Sequence, residues 1–235
     1  MNESNVLEIR NVVKEYPTPA GSVNALAGLS FTAGHSELIA IIGESGSGKS
    51  TLLNVITGID LPSSGTVMVN GEEVASFNEK ERNRWRGKNV GIIFQFFQLI
   101  PTLTVRENIL LPMDLCAIIP KKERLARATA LLNDFGIQEQ AEKFPFEMSG
   151  GQQQRAAIAR ALANNPALIA ADEPTGNLDT KNSESVFAHF RKLQQSGKTI
   201  VMVTHNKELA EKCDRVIHIQ DGMILSDRKT ERGAA

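Results

Sequence analysis

The sequence predicts an α/β fold built on a largely parallel sheet covered on both faces, and three observations carry that prediction. Short apolar runs of β character alternate with segments of helical periodicity along most of the chain. The stretch Gly43-Glu44-Ser45-Gly46-Ser47-Gly48-Lys49-Ser50 fills every fixed position of G-x-x-x-x-G-K-[ST], a loop that requires a strand before it and a helix after it. At 235 residues, with 41% hydrophobic and 23% charged side chains, the chain is long enough for one sizeable α/β core.

Each element follows in order. Leu38–Ile42 is an apolar strand leading into the glycine-rich loop, and Leu52, Leu53, Val55 and Ile56 recur at helical spacing after it. Gly65-Thr-Val-Met-Val-Asn-Gly71 reads as a short antiparallel piece bounded by glycines, and Val90–Phe94 as a further strand. From about Phe97 to Phe146 the chain is helical in character; Leu125, Ala128, Leu132 and Phe135 share one face, and Gly136 stops that helix. This segment separates two strands, so it reads as a lobe inserted within a single domain spanning residues 1–235; the lobe covers about residues 97–155. Leu168–Ala171, Thr199–Thr204 and Arg215–Ile219 are strands, Met223–Leu225 is a short antiparallel piece, and Val186, Phe190 and Leu193 mark a helix ending before Gly197. There is no internal repeat, low-complexity tract or linker.

A formal net charge of −1 offers no bulk attraction to nucleic acid or to an anionic membrane surface. Cys116 and Cys213 stand alone without CxxC spacing, which argues against a disulfide framework or a cysteine metal site and fits a reducing cytosol. The first residues lack the basic-then-apolar pattern of a signal peptide, and no stretch approaches the ~20 apolar residues that span a bilayer. Work at a membrane would need another chain to cross it.

The loop chemistry is specific. Gly43, Gly46 and Gly48 let the backbone curl so that the N–H groups of Ser45, Ser47 and their neighbours converge on one concavity, at a helix start whose dipole adds positive potential. Lys49 supplies a charge for the β- and γ-phosphates, Thr51 follows at the helix start, and the Ser50 hydroxyl is a ligand for Mg²⁺. The expectation is a nucleoside triphosphate site. Ala167-Leu-Ile-Ala-Ala-Asp172-Glu173 is an apolar strand ending in two carboxylates: Asp172 is placed to hold the Mg²⁺ shell and Glu173 to orient or deprotonate water. Ser149-Gly150-Gly151-Gln152, opening a helix rich in Ala and Ile, makes a second anion site with no lysine, suited to capping a phosphate held elsewhere; an ordinary serine N-cap is the plain alternative.

With these motifs in order, the chain resembles the ATP-binding-cassette ATPases over essentially its whole length. The resemblance implies a P-loop, RecA-like sheet with an N-terminal antiparallel β-subdomain and an inserted α-helical subdomain. It further implies an ATPase that uses ATP and Mg²⁺ and dimerises head-to-tail, Ser149 to Gln152 of one subunit closing the nucleotide site of the other. It assigns adenine stacking to Tyr16, γ-phosphate and metal sensing to Gln95, communication across the dimer to the Asn177-Leu178-Asp179 loop, and γ-phosphate contact to His205. Ser50, Gln95 and Asp172 are then the metal set, and Lys49, Gln95, Glu173 and His205 the catalytic set. His35, His189 and His218 receive no role.

Phe94-Gln-Phe-Phe-Gln-Leu-Ile-Pro101-Thr-Leu-Thr104, Glu107-Asn108, Leu111-Pro112, the triple glutamine after Gly151 and Glu173-Pro-Thr-Gly-Asn-Leu-Asp179 are similar to the MacB/LolD/FtsE-type branch. That branch comprises macrolide-efflux, lipoprotein-release and cell-division ATPases. Its members serve a separate transmembrane permease, which implies a peripheral location at the cytoplasmic face of the membrane. Of the apolar excess after Gln95 (Phe96, Phe97, Leu99, Ile100, Leu103, Ile109, Leu110 and Leu111), part reads as core and the remainder as a groove for a helix of that permease. Arg82, Arg84, Arg86 and Lys88 around Trp85 read as a solvated face, with lipid headgroups as a minor alternative. Glu44 and Met148 depart from the usual proline and leucine, and Ala170-Ala171 is less bulky than usual. The rivals are soluble cassette ATPases of nucleic-acid or iron–sulfur assembly machinery. Only 98 residues lie between Lys49 and Met148, with no sustained heptads, which disfavours the repair types with a long coiled coil.

Overall fold

The computed structural model describes residues 5–19, 21–231 and 233. Two long strands, β1 (Leu7–Thr18) and β2 (Gly21–Ala33), pair antiparallel from Leu7 opposite Ala33 onward. Leu7, Ile9 and Val12 are buried while Arg10 and Asn11 are exposed, and the alternation slips at a bulge where Asn11 takes a φ of 49°. That slip is why simple period-two reading does not delimit this hairpin. Next, β3 (Leu38–Ile42) enters a second sheet, whereas β4 (Ser64–Val69) and β5 (Glu72–Glu73) return to the first, whose order is β2-β1-β4-β5. This is the antiparallel N-terminal sheet that the family resemblance implied.

The second sheet gains β6 (Val90–Ile93), β7 (Leu168–Asp172), β8 (Thr199–Val203), β9 (Arg215–Gln220) and β10 (Met223–Lys229), in the order β10-β9-β3-β8-β7-β6. All are parallel except β10. Strand ends differ from the sequence expectation by one residue at Phe94, Thr204, Asp172 and Gln220. The larger correction is β10, which runs on to Lys229. Its second half is exposed and polar and pairs with β9 through its backbone, so hydrophobic pattern carries no trace of it.

The helices are α1 (Lys49–Ile56), α2 (Glu79–Asn89), α3 (Val105–Cys116), α4 (Lys121–Asp134), α5 (Gly150–Ala161), α6 (Thr180–Gln195) and α7 (Lys207–Glu211). Period two in the central strands sorts the core into two layers. Leu38, Ala40, Ile169, Ala171, Ile200 and Met202 face a cluster with α3 to α7. Ile39, Ile41, Leu168, Ala170, Val201 and Val203 face α1 and the N-terminal sheet. The small Ala170 lies in the same buried layer as Leu52 and Val55 of α1, which contacts β7.

Helix α2 has no apolar stripe, only buried Trp85 and Asn89, and is started by an Asn78–Glu81 capping box. Its basic cluster is not wholly a solvated face. Arg86 Nη1 donates to Gly58 O at 2.8 Å and Arg82 Nη1 to Phe77 O at 3.1 Å, while Arg84 and Lys88 are exposed. In the helical lobe, wholly buried Asn108 knots the preceding turn to α3: its Nδ2 donates to Ile100 O and Leu103 O at 3.1 Å, and its Oδ1 accepts from Ile100 N. His189 packs on Phe135, and both cysteines are free thiols. Among the described residues no helix is long and apolar enough to cross a membrane.

Candidate functional site

The glycine-rich loop lies at the C-terminal end of β3, backed on both sides by other strands. Gly43 has a φ of 158°, and a Cβ there would stand 2.2 Å from Ile219 O; at Gly48 (φ 101°) it would stand 2.3 Å from Ala25 O. Only glycine fits between β9 and β2 at these points. The turn after β9 clips the loop from outside: Gly222 N donates to Ser47 O at 3.1 Å, and Gly222 O accepts from Ala27 N at 2.8 Å. Lys49 opens α1 with its Nζ turned back on the loop, donating to Gly43 O at 2.9 Å and Glu44 O at 2.6 Å. Burial lowers its pKa, and the carboxylates of Glu173 and Asp172 oppose that shift. Glu44 contributes its carbonyl here; the residue is exposed and does not line the cleft.

The cleft above the loop is lined by Ala25, Ser45, Gly46, Gly48, Lys49, Ser50, Thr51, Gln95, Asp172, Glu173, Val203 and His205. Asp172 ends β7, and burial raises its pKa against the Ser50 hydroxyl and the Lys49 ammonium. Glu173 follows with a φ of 46°, a left-handed conformation costly for a residue with a Cβ. Its N–H donates to Val203 O at 3.0 Å, and its O accepts from Gly176 N at 3.0 Å. Burial also raises the Glu173 carboxyl, with the neighbouring His205 pulling it back. The His205 peptide N–H reaches Glu173 Oε2 at 3.4 Å, and its ring Nε2 lies 3.1 Å from Oε1 without hydrogen-bond alignment. Gln95 sits just past β6, its O accepting from Asn177 Nδ2 at 3.0 Å.

The remaining sequence-chosen residues lie outside this lining. Gly43 and Ser47 form the loop's underside, where Ser47 is buried and Gly43 half-buried. Tyr16 is held at the rim: its OH donates to Asp60 Oδ2 at 2.8 Å, Lys14 Nζ stands 4.9 Å from its ring centre, and the Thr51 hydroxyl is beside it. Ser149 is the N-cap of α5, reciprocally bonded with Gln152, so the plain capping alternative is present in full. Gly150 and Gly151 follow at the helix start, facing Leu178 and Asn182 rather than the cleft. Asp179 caps α6 by accepting from Asn182 N at 2.8 Å. Arg160 of α5 reaches back to the stretch after Gln95, donating to Gln98 O at 2.5 Å and Phe97 O at 2.9 Å.

Sequence reasoning missed Ala25 and Val203, which line the cleft through strand position alone, and Lys14 and Asp60, which orient Tyr16. For these four there was no local signal. The Asp221-Gly222 turn did carry one, as a tight-turn dipeptide.

The sequence profile of the ABC transporter family matches residues 26–176. The lipoprotein-releasing system ATP-binding protein LolD of Aquifex aeolicus is 45% identical, over 93% of this chain and 94% of its own. The macrolide export ATP-binding/permease protein MacB of Brucella melitensis is 41% identical, over 94% of this chain and 34% of its own. Among solved structures, the dimeric post-hydrolysis state of the ATP-binding cassette MJ0796 bound to ADP and Pi superposes with a TM-score of 0.88. It is 38% identical and covers 95% of this chain and 98% of its own. A phosphate loop, a strand-end carboxylate pair and a Ser-Gly-Gly helix start on this fold, with these relatives, identify the chain as an ABC transporter family member, an ATP-binding cassette ATPase of the MacB/LolD/FtsE-type branch.

Proposed function

We propose that residues 1–235 act as one nucleotide-binding domain of a head-to-tail homodimer that hydrolyses ATP to drive a separate transmembrane permease from its cytoplasmic side. One observation carries this reading: Ser149, Gly150 and Gly151 form an anion-suited helix start that does not line its own chain's cleft. A second copy can use what the first cannot reach. In this reading Lys49, the loop amides from Ser45 to Ser50 and Thr51 bind the phosphates, Tyr16 carries the adenine, Glu173 orients and deprotonates water, and His205 and Gln95 hold the far side of the γ-phosphate. Ser149, Gly150, Gly151, Gln152 and Asp179 of the other subunit close the site.

The donor set also fits Mg²⁺. Ser50, Asp172 and Gln95 line one cleft with oxygen donors, one of them a carboxylate, which suits a magnesium ion whose shell is completed by phosphates and water. Bound there, the ion would neutralise charge on the β- and γ-phosphates. For the permease, the supporting features are Phe96, 72% exposed beside Gln95, and a second cleft lined in part by Phe94, Gln98, Pro112 and Arg160. A mechanically coupled permease is the partner this surface suits, and MacB carries a permease in its name beside the ATP-binding part.

The test is Ser149→Arg. Arginine at the helix start blocks a shared phosphate site and removes an N-cap worth about 1 kcal/mol, a loss that a thermal melt records separately. Hydrolysis is expected to be abolished with ATP affinity of the single subunit unchanged. Equal loss of both in a folded variant would place Ser149 in its own subunit's site and end the dimer reading.

A further inference from the structure

Helix α5 opens with Ser149, but its most deeply buried polar side chain serves a different part of the molecule. Gln154 is fully buried. Its Nε2 donates to Pro174 O at 2.7 Å, and since a carbonyl can only accept, this contact decides which end of the amide faces the proline. The other end, Oε1, is buried with no hydrogen-bond partner among the described residues. An orphaned acceptor costs stability, and a methionine of similar length would fill the same space without that cost. The amide therefore makes sense only for what its N–H holds.

What it holds is the residue after Glu173. Glu173 sits in the left-handed region, so its backbone direction must be imposed by its surroundings. Its own N–H and C=O are anchored to Val203 and Gly176. Pro174 has no N–H, so its carbonyl is the only backbone polar group this residue offers, and Gln154 grips it. We propose that Gln154 is a positioning residue for Glu173, fixing the strained turn that aims the carboxylate and tying that aim to the helix whose first residues are Ser149 to Gly151. The inference rests on the role of Glu173 proposed above. It makes the seating of α5 and the direction of the carboxylate in the same subunit one mechanical unit.

Two variants test it, each read by kcat, KM for ATP, ATP affinity and thermal melting. Gln154→Met keeps the volume and removes the donor. Expected is a fall in kcat on the order of tenfold, the scale of one lost hydrogen bond, with KM and affinity unchanged and the melting temperature little moved, since relief of the orphaned Oε1 offsets the carbonyl left unpaired at Pro174. In a Glu173→Gln background the same change should add nothing, because it acts through Glu173. Gln154→Glu is isosteric: ionised, it faces Pro174 O with acceptors only, and protonated it regains an O–H donor. Burial raises such a carboxyl, so the ratio of its kcat to that of the wild type should climb as pH falls from 8.5 to about 6.5.

A wild-type kcat for Gln154→Met, or a fall accompanied by weaker ATP binding and a lower melting temperature, would overturn the proposal. If Gln154→Met does not fold, a pH-independent ratio for Gln154→Glu overturns it instead. Glu173→Gln measured alongside separates the two readings. Full-rate turnover there removes the role of Glu173, whereas a slow Glu173→Gln beside a full-rate Gln154→Met removes only this inference.

Discussion

Replacing Glu173 by glutamine tests chemistry and stability together, because the same burial that suits the carboxylate to its task makes it costly. The amide keeps the shape of the side chain, so the turn at φ 46° and the contacts to Val203 and Gly176 persist. What is lost is a proton acceptor facing the cleft. General-base assistance contributes roughly 10²- to 10⁴-fold, so the lower bound corresponds to about 2.7 kcal/mol of barrier. Asp172 still balances Lys49, and a negative charge opposite the triphosphate disappears, so ATP binding should hold or tighten. Phosphate release should slow by about 10²-fold or more, with equilibrium ATP binding intact. The stability effect has a definite sign. The Glu173 carboxyl is raised above its ordinary value of 4.5 by burial. Just above that value, the native state holds a proton that the unfolded chain has released. Wild-type stability therefore falls as pH rises through the raised native pKa, and the variant escapes that loss. Melting curves at pH 5 and pH 8 should show the variant gaining on the wild type at the higher pH. Wild-type turnover would remove Glu173 from its role, and a melting difference that does not grow with pH would refute the electrostatic reasoning.

Two further outcomes follow from residues at the edges of the site. Asp60→Ala frees the Tyr16 hydroxyl and the Lys14 ammonium, so ATP should bind more weakly while inorganic triphosphate binds as before. Because Tyr16 is the only tyrosine, its absorbance titration should also move to lower pH once Asp60, which helps raise it, is gone; equal weakening of both ligands would deny the ring its place under the base. Phe96→Asp puts a charge on the exposed apolar residue beside Gln95, and the ATPase should lose co-purification with its membrane partner while the isolated subunit hydrolyses ATP at the wild-type rate. Retained co-purification would move the docking surface elsewhere.

Much of the chemistry was legible in the linear chain because it is local. A Gly-Lys-Ser loop after an apolar strand, a strand ending in Asp172-Glu173, and serine before two glycines at a helix start each place donors or carboxylates through backbone geometry within a few residues. The central strands were legible for the same reason, since burial on both faces leaves unbroken apolar runs. Elements without that signature were not: the β1–β2 hairpin slips register at Asn11, α2 has almost no apolar face, and the far half of β10 is polar.

Folding alone settled which distant groups meet. Tyr16 finds Asp60, Gly43 is pressed against Ile219, and Gln154 reaches Pro174, each pair brought together by tertiary packing rather than spacing. Folding likewise turns Ser149 to Gly151 away from the cleft of their own chain. Motifs written in one stretch state what a residue can do; the packing of strands and helices around them decides to which residues, and in which copy, it is done.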